Sequence, residues 1–142
     1  MKTLITIIFI ATTAIISAQQ VVTWKGGTPG KENCWAEPRN WDTNRVPDEF
    51  SHVVIKFRNN GHFNMPVIHS NEQIETIEIH SRAYLTITEK GTLLLYGANL
   101  EGDDIQLFGG NIHNTGRIIY EDLEADHFIA RSSIARVYNP HH

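Results

Sequence analysis

Between Glu75 and Gly97, in ETIEIHSRAYLTITEKGTLLLYG, apolar residues recur in three short bursts: Ile77 and Ile79, Leu85 and Ile87, Leu93 and Leu95. Each burst begins eight residues after the last. Apolar positions two apart are the signature of a half-buried strand. The stretches between them, HSRAY and TEKGT, are short and polar and read as turns. The segment is dense in Ile, Leu, Thr and Tyr and carries no helix cap. It therefore predicts three strands.

A second interval sets how those strands associate. Ile55 to Ile77 is 22 residues, Leu85 to Leu107 is 22 and Leu95 to Ile118 is 23. A coil of about 22 residues, made of three strands with their turns, would place these pairs one above another, with Leu107 stacked on Leu85. That is an all-β fold, a short parallel, right-handed β-solenoid. One coil cannot bury its own apolar face, and stacked coils make a continuous core. The stretch GANLEGDD, Gly97 to Asp104, interrupts the beat. The alternative is an antiparallel meander or sandwich, in which 77–79 would pair with 85–87. Its weakness is the linkers, which lack the Asn-Gly or Asp-Gly of two-residue hairpins.

The chain start assigns a compartment. Lys2, an apolar run from Leu4 to Ile16, and the small residues Ser17 and Ala18 have the layout of a secretory signal peptide. At about 13 residues the run is too short to span a bilayer comfortably. The expectation is cleavage after Ala18 and a secreted or outer-surface mature chain, with the periplasm as the alternative location and no later transmembrane segment. The expected organisation is 1–18 signal peptide and 19–142 one domain, divided into a cap segment (19–52), rungs (53–120) and a C-terminal cap or last coil (121–142).

Composition narrows the partners. Removing Lys2 from the 12 basic residues leaves 11 against 16 acidic, a net charge near −5. With no basic block, nucleic acid is not an expected partner. The one cysteine, Cys34, rules out a disulfide framework. Beside Trp35 it reads as a buried thiol, with an intermolecular disulfide as the sharper option.

The N-terminal part reads Trp24-Lys-Gly-Gly, Cys-Trp35, Arg-Asn-Trp41, Arg-Val-Pro47 and His-Val-Val-Ile55. It continues Met-Pro-Val-Ile68, IETIEI, AYLTI, GTLLLYG and LFGGNIHNTGRI. From Val22 to Tyr120 this resembles the start of β-helix domains in secreted, adhesin-like surface proteins of Bacteroidota-type (Gram-negative) bacteria. The tryptophan opening is the more specific part, since many solenoids share such rungs. The resemblance implies a β-helix and a surface role. In that family such segments often sit within far longer chains, which this 142-residue sequence does not match.

Read physically, Trp24, Trp35 and Trp41 precede the first rung in a segment punctuated by Gly and Pro. A solenoid end exposes apolar coil and unpaired strand edges. Three indoles folded over it would bury a large area and block the edge. The rival use is a sugar-binding platform. On that reading the ligand residues would be Trp35, Trp41 and Tyr96, the last paired with Leu94 on an outward strand face.

Chemistry-bearing patterns are sparse. No phosphate loop, His-Glu-x-x-His, Gly-x-Ser-x-Gly or EF-hand motif occurs. The eight histidines are scattered without a His-x-His pair and read as solvated, so no metal or other cofactor is expected. Asp103 with Asp104, Glu75 with Glu78, and the cluster Glu121, Asp122, Glu124 and Asp126 are not distinguished by their neighbours. No catalytic residue is assigned. Thr86-x-Thr88 suggests an ice-binding array only if it repeats on stacked coils, and it does not repeat in the sequence. The reading is a non-enzymatic, adhesin-like or structural surface protein, its partner a glycan or another surface protein. Alternatives are a carbohydrate-binding module and a small polysaccharide-active β-helix enzyme.

Overall fold

Ten strands follow one another in the computed structural model, which describes residues 19–58, 64–97 and 104–121. They are β1 Gln20–Thr23, β2 Ser51–Ile55, β3 Val67–Ile68, β4 Asn71–Ile74 and β5 Thr76–His80. Then come β6 Tyr84–Ile87, β7 Thr92–Leu95, β8 Ile105–Phe108, β9 Asn111–Asn114 and β10 Arg117–Tyr120. A 3-10 turn, Pro38–Asn40, is the one helical element among the described residues. No described helix is long and apolar enough to cross a membrane. The expected signal peptide (1–18) and all but the first residue of the expected C-terminal cap lie outside the described residues.

The fold is all-β with parallel sheets. The first sheet runs β1-β2-β5-β8, the second β3-β6-β9 and the third β4-β7-β10. From β2 onward the chain visits the three sheets in rotation, three times. Every pairing between named strands is parallel. The antiparallel pairing of 77–79 with 85–87 does not occur, because β5 and β6 belong to different sheets. The three apolar bursts are β5, β6 and β7, one strand from each sheet.

The register corrects the expected 22-residue interval. Leu107 pairs with Ile79, not above Leu85, and Leu85 pairs with Ile112. Ile55 pairs with Ile79 rather than Ile77, and Ile118 with Leu93 rather than Leu95. On the first sheet, successive rounds take 24 residues (Val53 to Ile77) and 28 (Ile77 to Ile105). The physical reason is that the connections between strands differ in length, with the one between β7 and β8 adding the extra residues of the second round. Two of the false matches are off by two residues. With side chains alternating at period two, such a slip still lands on an inward residue, so the apolar pattern does not reveal it.

Inward side chains align in columns: Val22, Val53, Ile77 and Ile105, then Ile55, Ile79 and Leu107 on the first sheet. Ile74 and Leu95 continue the core on the third. Fully burying one such aliphatic side chain contributes about 1.5–3 kcal/mol. Glu72 stands in an inward position under Leu93 and Ile118. Burial pushes its carboxyl up, opposed by a hydrogen bond from the Ser70 hydroxyl.

The turns between the second and third sheets tie one round to the next. Thr88 and Thr115 each donate both backbone N–H and hydroxyl to a carbonyl of the preceding round, Ile68 and Ile87 respectively. Gly116 lies so close to the carbonyl oxygens of Thr88 and Gly91 that any Cβ would overlap them. Thr86 stands between Val67 and His113, so Thr-x-Thr does not repeat up the stack.

Candidate functional site

The segment between β1 and β2 builds the most elaborate local structure of the chain. Trp24, Trp35 and Trp41 are 2%, 1% and 0% exposed. Trp41 packs edge-on to both others, with ring centroids 4.9 Å from Trp24 and 4.7 Å from Trp35. Edge-to-face contacts at this spacing are worth about 0.5–1.5 kcal/mol beyond the area buried. The Trp41 indole N–H donates to the Trp35 carbonyl at 2.7 Å, and the Trp24 indole N–H to the Asn64 carbonyl at 2.6 Å. The Trp35 indole N–H has no partner among the described residues.

Two of the three sheets are extended by this segment. β1 pairs with β2, and Trp24 N–H continues the ladder to the Val54 carbonyl. Residues 33–35 pair with Val67 at the start of the second sheet. Gly26 has a φ of 65° and passes so close over the Trp24 indole and the Asn64 backbone that a side chain would collide with them.

Asn40, fully buried, is the knot of the segment. Its Nδ2 donates to the carbonyls of Lys31 (2.7 Å) and Cys34 (3.0 Å), and its Oδ1 accepts from Thr28 N–H (2.9 Å). Its carbonyl accepts from the N–H groups of Lys25 and Gly26. Glu37 caps the 3-10 turn and accepts from the Arg39 side chain at 2.8 Å, with Lys31 Nζ at 3.2 Å. The Arg39 hydrogen bond, offset by desolvation and aided by Lys31, lowers its carboxyl from the ordinary 4.5 to about 2. Sequence reading quoted Asn40 within the Asn-Trp pair without giving it a role, and it missed Glu37. The visible signal was Glu-Pro-x-Asn, an acidic cap before a proline-led turn.

Trp35 and Trp41 are thus brought together, and neither presents a ring face to solvent. Tyr96, one residue beyond β7, is half-buried. Burial first, then the Glu121 carboxylate to which its hydroxyl is bonded, pushes its pKa up. The groups that act on Tyr96 are Glu121 and Glu49, not the two indoles. Cys34 is a free, half-buried thiol rather than a fully buried one.

On the outward face of the first sheet the fold assembles a group that the sequence reading left scattered. Glu78 lies between His52 and His80, its two oxygens 3.1 Å from their Nε2 atoms. With both Nε2–H groups donating to Glu78, His52 Nδ1 accepts from the Thr76 hydroxyl at 2.6 Å. These two histidines are therefore paired, not solvated singly. The Glu78-x-His80 half was visible in sequence, whereas His52 arrives only through the register of β2 on β5. Among the described residues, no group of three or more His, Cys, Asp or Glu side chains is arranged to hold a metal ion. An open hollow lies elsewhere, lined by His69, Thr88, Glu89, Lys90 and Thr115.

No family model matches the chain, and no curated protein and no solved structure matches it either.

Proposed function

We propose that the chain is a secreted, non-enzymatic surface module, adhesin-like or structural, built as a short parallel β-solenoid whose first round is closed by the tryptophan segment. The observation that carries the reading is the rotation of the chain through three parallel sheets, with inward apolar columns running from round to round. Such an architecture puts its material into a rigid stack with a long lateral surface. Two of the acidic side chains fit the reading: Glu37 and Glu78 are committed to local ion pairs and hydrogen bonds. The layout of residues 1–18 and the resemblance to β-helix domains of surface proteins point to the cell exterior.

The test is location with consequence. N-terminal sequencing of the mature protein should begin at Gln19, antibodies should label intact cells, and loss of the protein should weaken attachment to a surface. A protein retained in the cytoplasm with residues 1–18 intact would refute the reading.

A further inference from the structure

The corner where the first sheet turns into the second carries aromatic rings and cations in alternation. β5 ends at His80 and β6 starts at Tyr84, while β8 ends at Phe108 one round later. Phe108, 44% exposed, stacks on the His80 ring with centroids 5.2 Å apart. Tyr84, 38% exposed, stands on the other side of the same turn. Within the turn, Arg82 has a φ of 68°, and its guanidinium sits 4.0 Å from the Phe57 ring centroid. Lys56 follows Ile55, the partner of Ile79, and so flanks His80 on the outward face.

Lys56, Arg58 and Arg82 are exposed, and none makes an ion pair among the described residues. Glu78, the carboxylate on the adjoining sheet face, is already held by His52 and His80. Among the described residues, Lys56 and Arg82, neither of them in an ion pair, therefore stand beside the rings at one corner of a chain whose net charge is −4.

We propose that this corner binds an anionic polysaccharide of uronic acids. A pyranose offers an apolar C–H face to a ring such as Phe108 or Tyr84, which carry large apolar surface. A uronate adds a carboxylate on the same sugar ring, and guanidinium matches a carboxylate with two parallel N–H donors. Strands about 4.8 Å apart spread the rings and cations over roughly 10 Å across three rounds, the length of a disaccharide. A polynucleotide fits less well, since phosphate binding depends on many more Lys and Arg than one corner of an acidic chain supplies. The assignment rests on the extracellular adhesin-like reading and gives it a ligand. It uses residues distinct from Trp35 and Trp41.

The experiment titrates the purified mature chain with polygalacturonate, with its fully methyl-esterified form, with a sulfated glycan and with single-stranded poly(dT). The expected result is binding to polygalacturonate that weakens as salt is raised through about 0.5 M. Binding to the ester, whose charges are removed, should be at least about tenfold weaker. Arg82→Gly combined with Lys56→Gln should lose about tenfold in affinity while the thermal midpoint stays near that of wild type, because glycine accepts the positive φ. Phe108→Ala, a surface change, should give a similar loss by removing the stacking ring. No binding, equal binding to the ester, tighter binding to the sulfated glycan or to poly(dT), or affinity unchanged in both variants would each overturn the assignment. Surface labelling of cells is read separately, so a failed titration on a surface-displayed protein removes the ligand and leaves the module reading standing.

Discussion

At the end of the stack nearest the N-terminus, three indoles are 2% exposed or less, and the first and second sheets are extended by β1 and by residues 33–35. At the last described round Ile105, Leu107 and Ile118 keep 6%, 7% and 8% of their surface, and no described strand pairs with the outer edges of β8, β9 and β10. The middle round, between them, has Ile77, Ile79, Leu85, Ile87, Leu93 and Leu95 all at 0%. The difference shows where burial comes from in such a stack. A middle round is covered by its two neighbours, whereas an end round depends on whatever lies across it. Three tryptophans and one buried asparagine do that work at the first end.

The largest effect should come from breaking the covered end. Trp41→Ala removes the ring that touches both other indoles and should destabilise by about 3–5 kcal/mol, as large aromatic core truncations do. Chemical denaturation measures it. An unchanged midpoint would mean that the tryptophan segment does not hold the first round.

A matched pair sharpens the contrast between middle and end. Ile77 and Ile105 occupy the same column as register partners. Ile77→Ala should cost about 2–5 kcal/mol, since its site is enclosed and can relax only partly. Ile105→Ala, at the last described round, should cost about half that or less, because its less enclosed site can collapse or take up water. Equal losses would show that the far end is as well covered as the middle.

The smallest effect is electrostatic and depends on pH. Glu37 has its carboxyl lowered to about 2. A depressed carboxyl stabilises the fold above its unfolded pKa, and that contribution is lost as the pH falls through the folded value. Melts of the wild type should therefore drop as the pH goes from about 4.5 to about 2, and Glu37→Gln should lack that part of the slope. Glu72 has the opposite sign: burial raises its pKa, so acidification favours the fold at that site. Glu72→Gln should steepen the acid loss. An identical acid slope in wild type and Glu37→Gln would remove the ion pair from the account of the cap.

What was legible in the sequence was whatever alternation encodes. Ile77 to Leu95 announced three strands and their inward faces, and the tryptophans announced a cluster ahead of the first rung. β4 was not legible: Asn71, Glu72 and Gln73 carry no apolar alternation, and its place is dictated by pairing with β7. β3 has two residues, too short to leave a pattern. The register was not legible either, because connection lengths vary and a two-residue slip preserves inward polarity. For the same reason His52 could not be placed beside Glu78 from sequence. The roles of Asn40 and Glu37 depend on where carbonyls and cations converge after folding.

From β5 onward each strand lies parallel on the strand three before it. Backbone proton contacts in a nuclear Overhauser spectrum of residues 19–142 test this arrangement. Parallel rounds give cross-strand contacts between Leu93 and Ile118, between Ile77 and Ile105, and between Leu85 and Ile112, with none between Ile79 and Leu85. Antiparallel contacts linking 77–79 to 85–87 would contradict it.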